Sequence, residues 1–235
     1  MQLGTFSIVA RCERTGQLGV AISTAALVGG AFVPYARPGL AAVATQAYTN
    51  PYLAVAVLDR LAEGPTPQQA IEAALAGDEG RKLRQLLVVD AQGRGAAHTG
   101  QLTEAWAGHL VGEAVAAGGN TLAGPEVVPA MMRAFHDSAG EALGERLVRA
   151  LEAGQAAGGD KRGRQSAALY VVWREDYAHA DLRVDDHPDP VSELRRLWEK
   201  FRVELEPYLH LFPTQARPAG ETDPAVWDGE SAPEN

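Results

Sequence analysis

Gly4-Thr5-Phe6-Ser7-Ile8-Val9-Ala10 opens the chain, and Leu18-Gly19-Val20-Ala21-Ile22-Ser23 follows it across the turn Arg14-Thr15-Gly16-Gln17. Each run reads as a strand, and Gly16 marks the turn between them. Threonine suits a strand start because its branched Cβ fits a pleated, half-buried surface. The same position is where a chain of this kind would carry a nucleophile if Thr5 were made N-terminal. A free α-amine titrates at about 7.7–8.0, so a useful fraction is neutral at neutral pH. That amine takes the hydroxyl proton, directly or through a water, and Oγ becomes a competent attacker. No distant histidine is needed.

Working outward, the 235 residues are 46% hydrophobic, enough for one sizeable core and one domain. The net charge of −9 is uneven. From Glu204 onward seven acids face one base, Arg217, which leaves −6 in the tail and −3 in the body. Neither part has the basic face of a nucleic-acid binder. Cys12 is the single cysteine, so no internal disulfide forms, as suits a reducing cytoplasm. No signal-peptide pattern and no bilayer-length apolar run are present, so the expectation is a cytoplasmic protein that does not engage a membrane.

Ala25 to Pro38, rich in Gly and Ala with two prolines, reads as an irregular connection. A third strand follows over 39–46. Asn50-Pro51 caps a helix to Gly64, and Thr66-Pro67 starts a second one ending near Gly77. Arg84–Asp90 and Gly95–Thr99 form an antiparallel hairpin across Ala91-Gln92-Gly93-Arg94. His109–Ala117 adds a strand. Helices follow from Gly124-Pro125 and over 140–153. Ser166–Trp173 and Ala180–Val184 are strands, and Asp189-Pro190 caps a last helix. Beyond Pro207, prolines recur among acids and small residues. Residues 1–206 therefore read as one domain and 207–235 as an acidic, mobile tail. Strands pair with sequence neighbours and helices come in pairs, which two facing antiparallel sheets with helix layers outside accommodate.

Three stretches carry candidate chemistry. At the end of the third strand, Gln46 or Tyr48 could orient a substrate amide, while Asn50 is better explained as a cap. In Gly118-Gly119-Asn120-Thr121, the Gly119 N–H or the Asn120 amide could stabilise an oxyanion, although the stretch also reads as a glycine turn before a helix. In Gly154–Ser166, glycines mixed with charges imply positive φ angles and close backbone approach. There Asp160 and Ser166 could hold the α-amine of Thr5, and Arg162 or Arg164 could bind an anionic substrate group. The six histidines show no metal-ligand spacing, so no metal or organic cofactor is expected. No nucleophile elbow or phosphate-cradling loop is present.

Together these segments resemble the bacterial family called domain of unknown function 1028. The matching pieces are Thr5–Arg11, Gly16–Thr24, Ala41–Pro51, Ala96–Gly100, Trp106–His109, Gly119–Val127, Gly154–Leu169 and Asp181–Leu197. That family in turn resembles the N-terminal-nucleophile (Ntn) hydrolases. The resemblance implies an α+β fold, a four-layer αββα sandwich of two antiparallel sheets. It also implies cleavage of an amide by Thr5 after loss of Met1–Gly4. In the leading reading, Asn120 or Gly119 would stabilise the oxyanion, and Asp160, Ser166 and Gln165 would position the terminus. Arg164 or Arg37 would orient an acidic substrate group. The expected partner is a small amide, imide or peptide-like molecule, and a homodimer would need a self-complementary apolar surface.

Two departures stand against the resemblance. Proteasome-type sites place a lysine some thirty residues after the nucleophile, yet the first lysine here is Lys82. Arg37 lies nearer that position but stays charged and cannot serve as a base. Four residues also precede Thr5. These departures keep two alternatives open: a non-catalytic binding or scaffolding protein, and an enzyme using an internal hydroxyl such as Ser7 or Ser166.

Overall fold

Successive side chains of a strand enter opposite layers, so the apolar sets of each strand determine what packs on either side. The computed structural model describes residues 2–227, with the backbone alone for Gln2 and Leu3. The strands are β1 (Gln2–Leu3), β2 (Thr5–Arg11), β3 (Leu18–Thr24), β4 (Pro34–Arg37), β5 (Ala41–Tyr48), β6 (Arg84–Asp90), β7 (Gly95–Thr99), β8 (Gly108–Gly112), β9 (Val115–Asn120), β10 (Ser166–Val172) and β11 (Ala180–Val184). The main helices are α1 (Pro51–Ala62), α2 (Pro67–Ala76), α3 (Val127–Asp137), α4 (Leu143–Ala156) and α5 (Pro190–Glu204). One sheet runs β1-β5-β6-β7, with β4 also on β5, and the other runs β11-β10-β3-β2-β9-β8. Every pairing is antiparallel.

Three apolar clusters follow from the alternation. Phe6, Ile8 and Ala10 of β2 join Leu169 and Val171 of β10 beneath α3, α4 and α5. On the opposite face, Val9, Leu18, Val20 and Ile22 meet Ala42, Ala44, Leu87 and Val89 between the sheets. The outer face of the first sheet, through Val43, Leu86 and Val88, packs on α1 and α2. The molecule is thus α+β and sandwich-like, two antiparallel sheets face to face with helices on their outer sides.

Local expectations hold where the signal is a cap. Asn50 Oδ1 accepts from Tyr52 N at 3.1 Å, with Pro51 at the first helical position. Thr66 and Gln69 complete a capping box at α2. Four readings need correction. The stretch 25–38 contains strand β4, because Pro34 sits at a strand's first position, where its missing N–H is tolerated. The single strand expected over 109–117 is two, β8 and β9, paired with each other. Gly118, Gly119 and Asn120 lie in β9 and not in a turn, since cross-strand pairing with β2 holds them extended. Asp189 makes no side-chain cap on α5; its carboxylate is taken by Arg164 at 3.0 Å and by the Ser192 hydroxyl at 2.8 Å.

Residues 206–211 form a 3-10 helix with Leu211 buried. The Tyr177 hydroxyl donates to the Pro213 carbonyl at 2.7 Å, and Gln215 N donates to Glu175 at 2.9 Å. Met1, the first residue of the segment expected to be lost, and 228–235 of the expected tail lie outside the described residues. No helix among the described residues is long and apolar enough to cross a membrane.

Candidate active site

Residues paired directly across an antiparallel ladder point to the same face. Thr5 pairs with Thr24 on one side and Asn120 on the other, and Thr24 pairs in turn with Ser166. Ser166, Thr24, Thr5 and Asn120 therefore form one row across β10, β3, β2 and β9. All four are fully buried. Their parity is that of Val9, Val20 and Ile22, so the row faces the space between the sheets.

The opposing sheet answers with a polar row of its own. Gln46 pairs with Gln85, and Gln85 with Thr99. Gln85 is the hub of the hydrogen bonding here. Its Oε1 accepts from Gln46 Nε2 at 2.8 Å and from Asn120 Nδ2 at 3.1 Å. Its Nε2 donates to the Gly119 carbonyl at 2.9 Å, the Thr99 hydroxyl at 2.9 Å and the Gly108 carbonyl at 3.1 Å. Two residues inward along β2, the Ser7 hydroxyl donates to Gln46 Oε1 at 2.6 Å. The network ends near the surface, where Thr99 Oγ1 meets His109 Nδ1 at 2.8 Å. Burial, and then the neighbouring His98, hold the His109 pKa below its ordinary value.

Backbone strain flanks both rows. Ala47, next to Gln46, has φ of 70°, and Thr121, next to Asn120, has φ of 58°. The left-handed region costs a non-glycine residue roughly 1–2 kcal/mol, and a β-branched residue is the rarer occupant. Thr121 is held there by its N–H to the Glu104 carbonyl at 2.8 Å and by its own carbonyl, which accepts from Lys161 N at 2.9 Å. Strain of this kind collects where surrounding structure over-determines a site.

The loop between α4 and β10 closes the Thr5 end of the sandwich. Gly158, Gly159 and Gly163 all have positive φ, as the run of glycines requires. Asp160 bridges to Leu122, which brings its side chain in beside Ala25 N at 3.3 Å and Arg162 Nη2 at 2.7 Å.

Of the residues singled out in the sequence, the structure brings Thr5, Asn120, Gly119, Gln46, Asp160 and Ser166 to this end of the molecule. The hydroxyl of Ser166 accepts from Gly29 N at 3.0 Å and donates to the Ala26 carbonyl at 2.6 Å, so it fixes the 25–31 turn. Tyr48 ends β5, 38% exposed. Arg37 is not brought there: it lies at the Ala41 end of β5, 43% exposed, and pairs with Asp59 of α1 at 2.6 Å. Arg164 and Gln165 face outward, to Asp189 at 3.0 Å and Asp186 at 3.1 Å, and tie the glycine loop to the 185–189 segment. Among the described residues no group of three His, Cys, Asp or Glu side chains comes together as a metal site.

Thr24 and Gln85 are central here, yet neither was singled out from the sequence. Their signal was present. Thr24 shares the parity of Ile22, and Gln85 that of Leu87 and Val89, so each is a polar residue on the buried side of a strand.

The model of DUF1028, a family of unknown function, matches residues 5–194. Protein SPO2555 from Silicibacter pomeroyi, itself a DUF1028 protein, superposes with a TM-score of 0.86 at 31% identity, covering 94% of this chain and 96% of that one. Anbu (ancestral beta-subunit) from Yersinia bercovieri gives a TM-score of 0.40 at 11% identity, covering 87% of this chain and 97% of that one. A mutant Anbu from Hyphomicrobium sp. strain MC1 gives 0.43 at 14%, covering 90% and 100%. Likenesses at that level add nothing to what the first superposition says of the fold. No curated protein matches the chain.

Proposed function

We propose a function from the site alone, because the chain belongs to DUF1028, a family of unknown function. The reading is an amidohydrolase of the N-terminal-nucleophile kind, acting on a small amide, imide or peptide-like substrate through Thr5. The observation that carries it is the buried row Ser166–Thr24–Thr5–Asn120, which sets the Thr5 hydroxyl beside a side-chain amide on the inner face of a sheet. Layers of helices outside two facing sheets support the same reading.

In this reaction Thr5 Oγ attacks the substrate carbonyl. Its proton passes to the α-amine that loss of residues 1–4 exposes. Asn120 Nδ2 donates one N–H to Gln85, and its second N–H is the donor for the developing oxyanion. Gln46 and Gln85 hold that amide in place. Arg37 and Arg164 have no part, since each faces a carboxylate away from the row.

The test is a screen of small amides, imides and short peptides against the purified chain and its Thr5→Ala variant. Removing the nucleophile should lower turnover on the order of 10³-fold or more in a variant that thermal melting shows to be folded. Full hydrolysis by Thr5→Ala would eliminate the mechanism. Binding without turnover in both proteins would point to a ligand-binding protein of the same fold.

A further inference from the structure

The peptide bond before Thr5 is held in an unusual way. The Gly4 carbonyl oxygen accepts from the Thr24 hydroxyl and from Arg162 Nη2, the latter at 3.1 Å. Thr24 is fully buried and lies directly across from Thr5. Asp160 fixes the guanidinium through two contacts, Nη2 to Oδ2 at 2.7 Å and Nε to Oδ1 at 3.0 Å. The Asp160 side chain is only 1% exposed. It also accepts from Arg162 N at 2.9 Å and Ala25 N at 3.3 Å, so the carboxylate itself cannot swing away without losing several bonds.

Position 4 must be glycine for this arrangement. A Cβ there would fall 2.3 Å from Arg162 Nη2 and 2.9 Å from Asp160 Oδ2. The ion pair therefore lies against the peptide itself. Nor does the segment before it hang free, because β1 pairs with Ala47 and Tyr48 of the opposite sheet. Gly4 is the crossing point from one sheet to the other.

Two donors on one carbonyl, one of them a cation, withdraw electrons from its carbon. They bind more strongly still once the oxygen carries negative charge. The adjacent hydroxyl is that of Thr5. We propose that Thr24 and Arg162 are catalytic residues for cleavage of the Gly4–Thr5 bond by Thr5, with Asp160 a positioning residue for Arg162. The proposal rests on Thr5 being the nucleophile. In the first step Thr5 Oγ bonds to the Gly4 carbonyl carbon, and Thr24 and Arg162 hold the resulting oxyanion. The carbon–nitrogen bond then breaks, and the hydroxyl proton ends on the Thr5 nitrogen. The products are an ester on Oγ and a free α-amine. Water hydrolyses the ester, which releases the residues up to Gly4 as a carboxylic acid and restores the hydroxyl.

Intact mass spectrometry over time at neutral pH tests this on the full chain, alongside Thr24→Val and Arg162→Gln. The wild type should lose everything before Thr5, and each variant should do so about 10²-fold more slowly, as expected for loss of one oxyanion donor. Hydroxylamine, which intercepts an ester, should release the leader as its hydroxamate from the wild type. Thermal melting reports whether each variant folds, and Gly4→Ala, whose Cβ pushes Arg162 off the carbonyl while both donor residues keep their identity, gives a second slowed variant if one does not. Processing at the wild-type rate in folded Thr24→Val and Arg162→Gln overturns the proposal, as does a wild type that keeps its leader. A chain beginning at Thr5, released from a removable fusion domain, separates the two readings. If it hydrolyses amides while the full chain keeps its leader, the hydrolase reading stands and the clamp falls. If it is inert while the full chain sheds its leader at a rate that depends on Thr24 and Arg162, the clamp stands and the hydrolase reading falls.

Discussion

Between the two sheets, the same strands build two unlike regions. Toward one end β2 supplies Val9, β3 supplies Leu18 and Val20, and the facing strands supply Ala42, Leu87 and Val89. Toward the other end those strands supply Thr5, Ser7, Thr24, Gln46 and Gln85, with Asn120 and Ser166 beside them, all buried. Fully burying a valine or leucine contributes about 1.5–3 kcal/mol. Burying a hydroxyl or amide costs about 1–3 kcal/mol unless it is hydrogen-bonded. The apolar half therefore holds the sheets together. The polar half at best offsets its own desolvation through the network around Gln85, so stability alone does not account for it. A polar row of this kind, flanked by strained Ala47 and Thr121, is what makes this end the candidate site.

The sharpest way to break this contrast is to exchange its chemistry one position at a time. Gln85→Leu takes the Oε1 acceptor from the Gln46 and Asn120 amides, leaving Gln46 only a 3.4 Å contact to the Gly118 carbonyl, and takes a donor from the Gly119 and Gly108 carbonyls and the Thr99 hydroxyl. It should lower stability by about 4 kcal/mol in urea unfolding, several unpaired groups at 1–3 kcal/mol each. The triple change Gln46→Leu, Gln85→Leu, Asn120→Leu should recover part of that loss, because the two amides that Gln85→Leu strands are removed with it, while the Ser7 hydroxyl and the Gly119 and Gly108 carbonyls still lose a partner. Leu87→Ala, one turn of the alternation away, should cost about 3 kcal/mol by cavity formation, with no such rescue. Equal behaviour at positions 85 and 87 would dissolve the distinction.

A second prediction uses pH. The amides and hydroxyls of the facing rows do not titrate, so apart from His109 at their edge, with its lowered pKa, they give stability no acid dependence. The helix layer differs. Burial pushes the Glu145 carboxyl up, but hydrogen bonds from Arg195, Arg149 and Trp198 outweigh it and bring its pKa from 4.5 to about 2. The contacts are short: 2.6 Å from Arg195, 2.5 Å from Arg149 and 2.9 Å from Trp198. A depressed pKa means that the stabilisation is complete above pH 4.5 and is lost as pH falls toward 2. The loss is on the order of 3 kcal/mol by linkage. Urea midpoints measured from pH 5 down should show it, and Glu145→Gln should flatten the slope.

The smallest effect expected is that of Asn50→Ala. Its side chain caps α1, so the change should cost about 1 kcal/mol and leave the proposed amide hydrolysis untouched. Slower hydrolysis at unchanged stability would extend the polar half as far as Asn50.

How much of this was legible in the sequence differs from residue to residue. Thr5 stood out because a Gly-Thr pair precedes a strand at the chain's start. Asp160 and Ser166 stood out because glycines and charges lead into a buried strand. Asn120 was noticed in what looked like a turn, and pairing with β2 makes it part of a strand. Thr24 and Gln85 went unmarked, although each breaks an apolar alternation on its buried parity. Arg37 was drawn in by its spacing from Thr5, but a spacing in sequence does not say which end of a strand faces the site.

The sequence by itself determined most of the strand and helix segments, though not β4 or the division of β8 from β9, together with the α1 and α2 caps and the glycine loop, since alternation, capping and positive φ are properties of neighbouring residues. Only the tertiary structure decided that Ser166, Thr24, Thr5 and Asn120 share a row, that Gln85 joins the sheets, and that Arg162 and Thr24 meet on the Gly4 carbonyl. Those contacts depend on register between strands far apart in the chain. Register is set by which apolar faces can be buried together, and no local pattern carries that information.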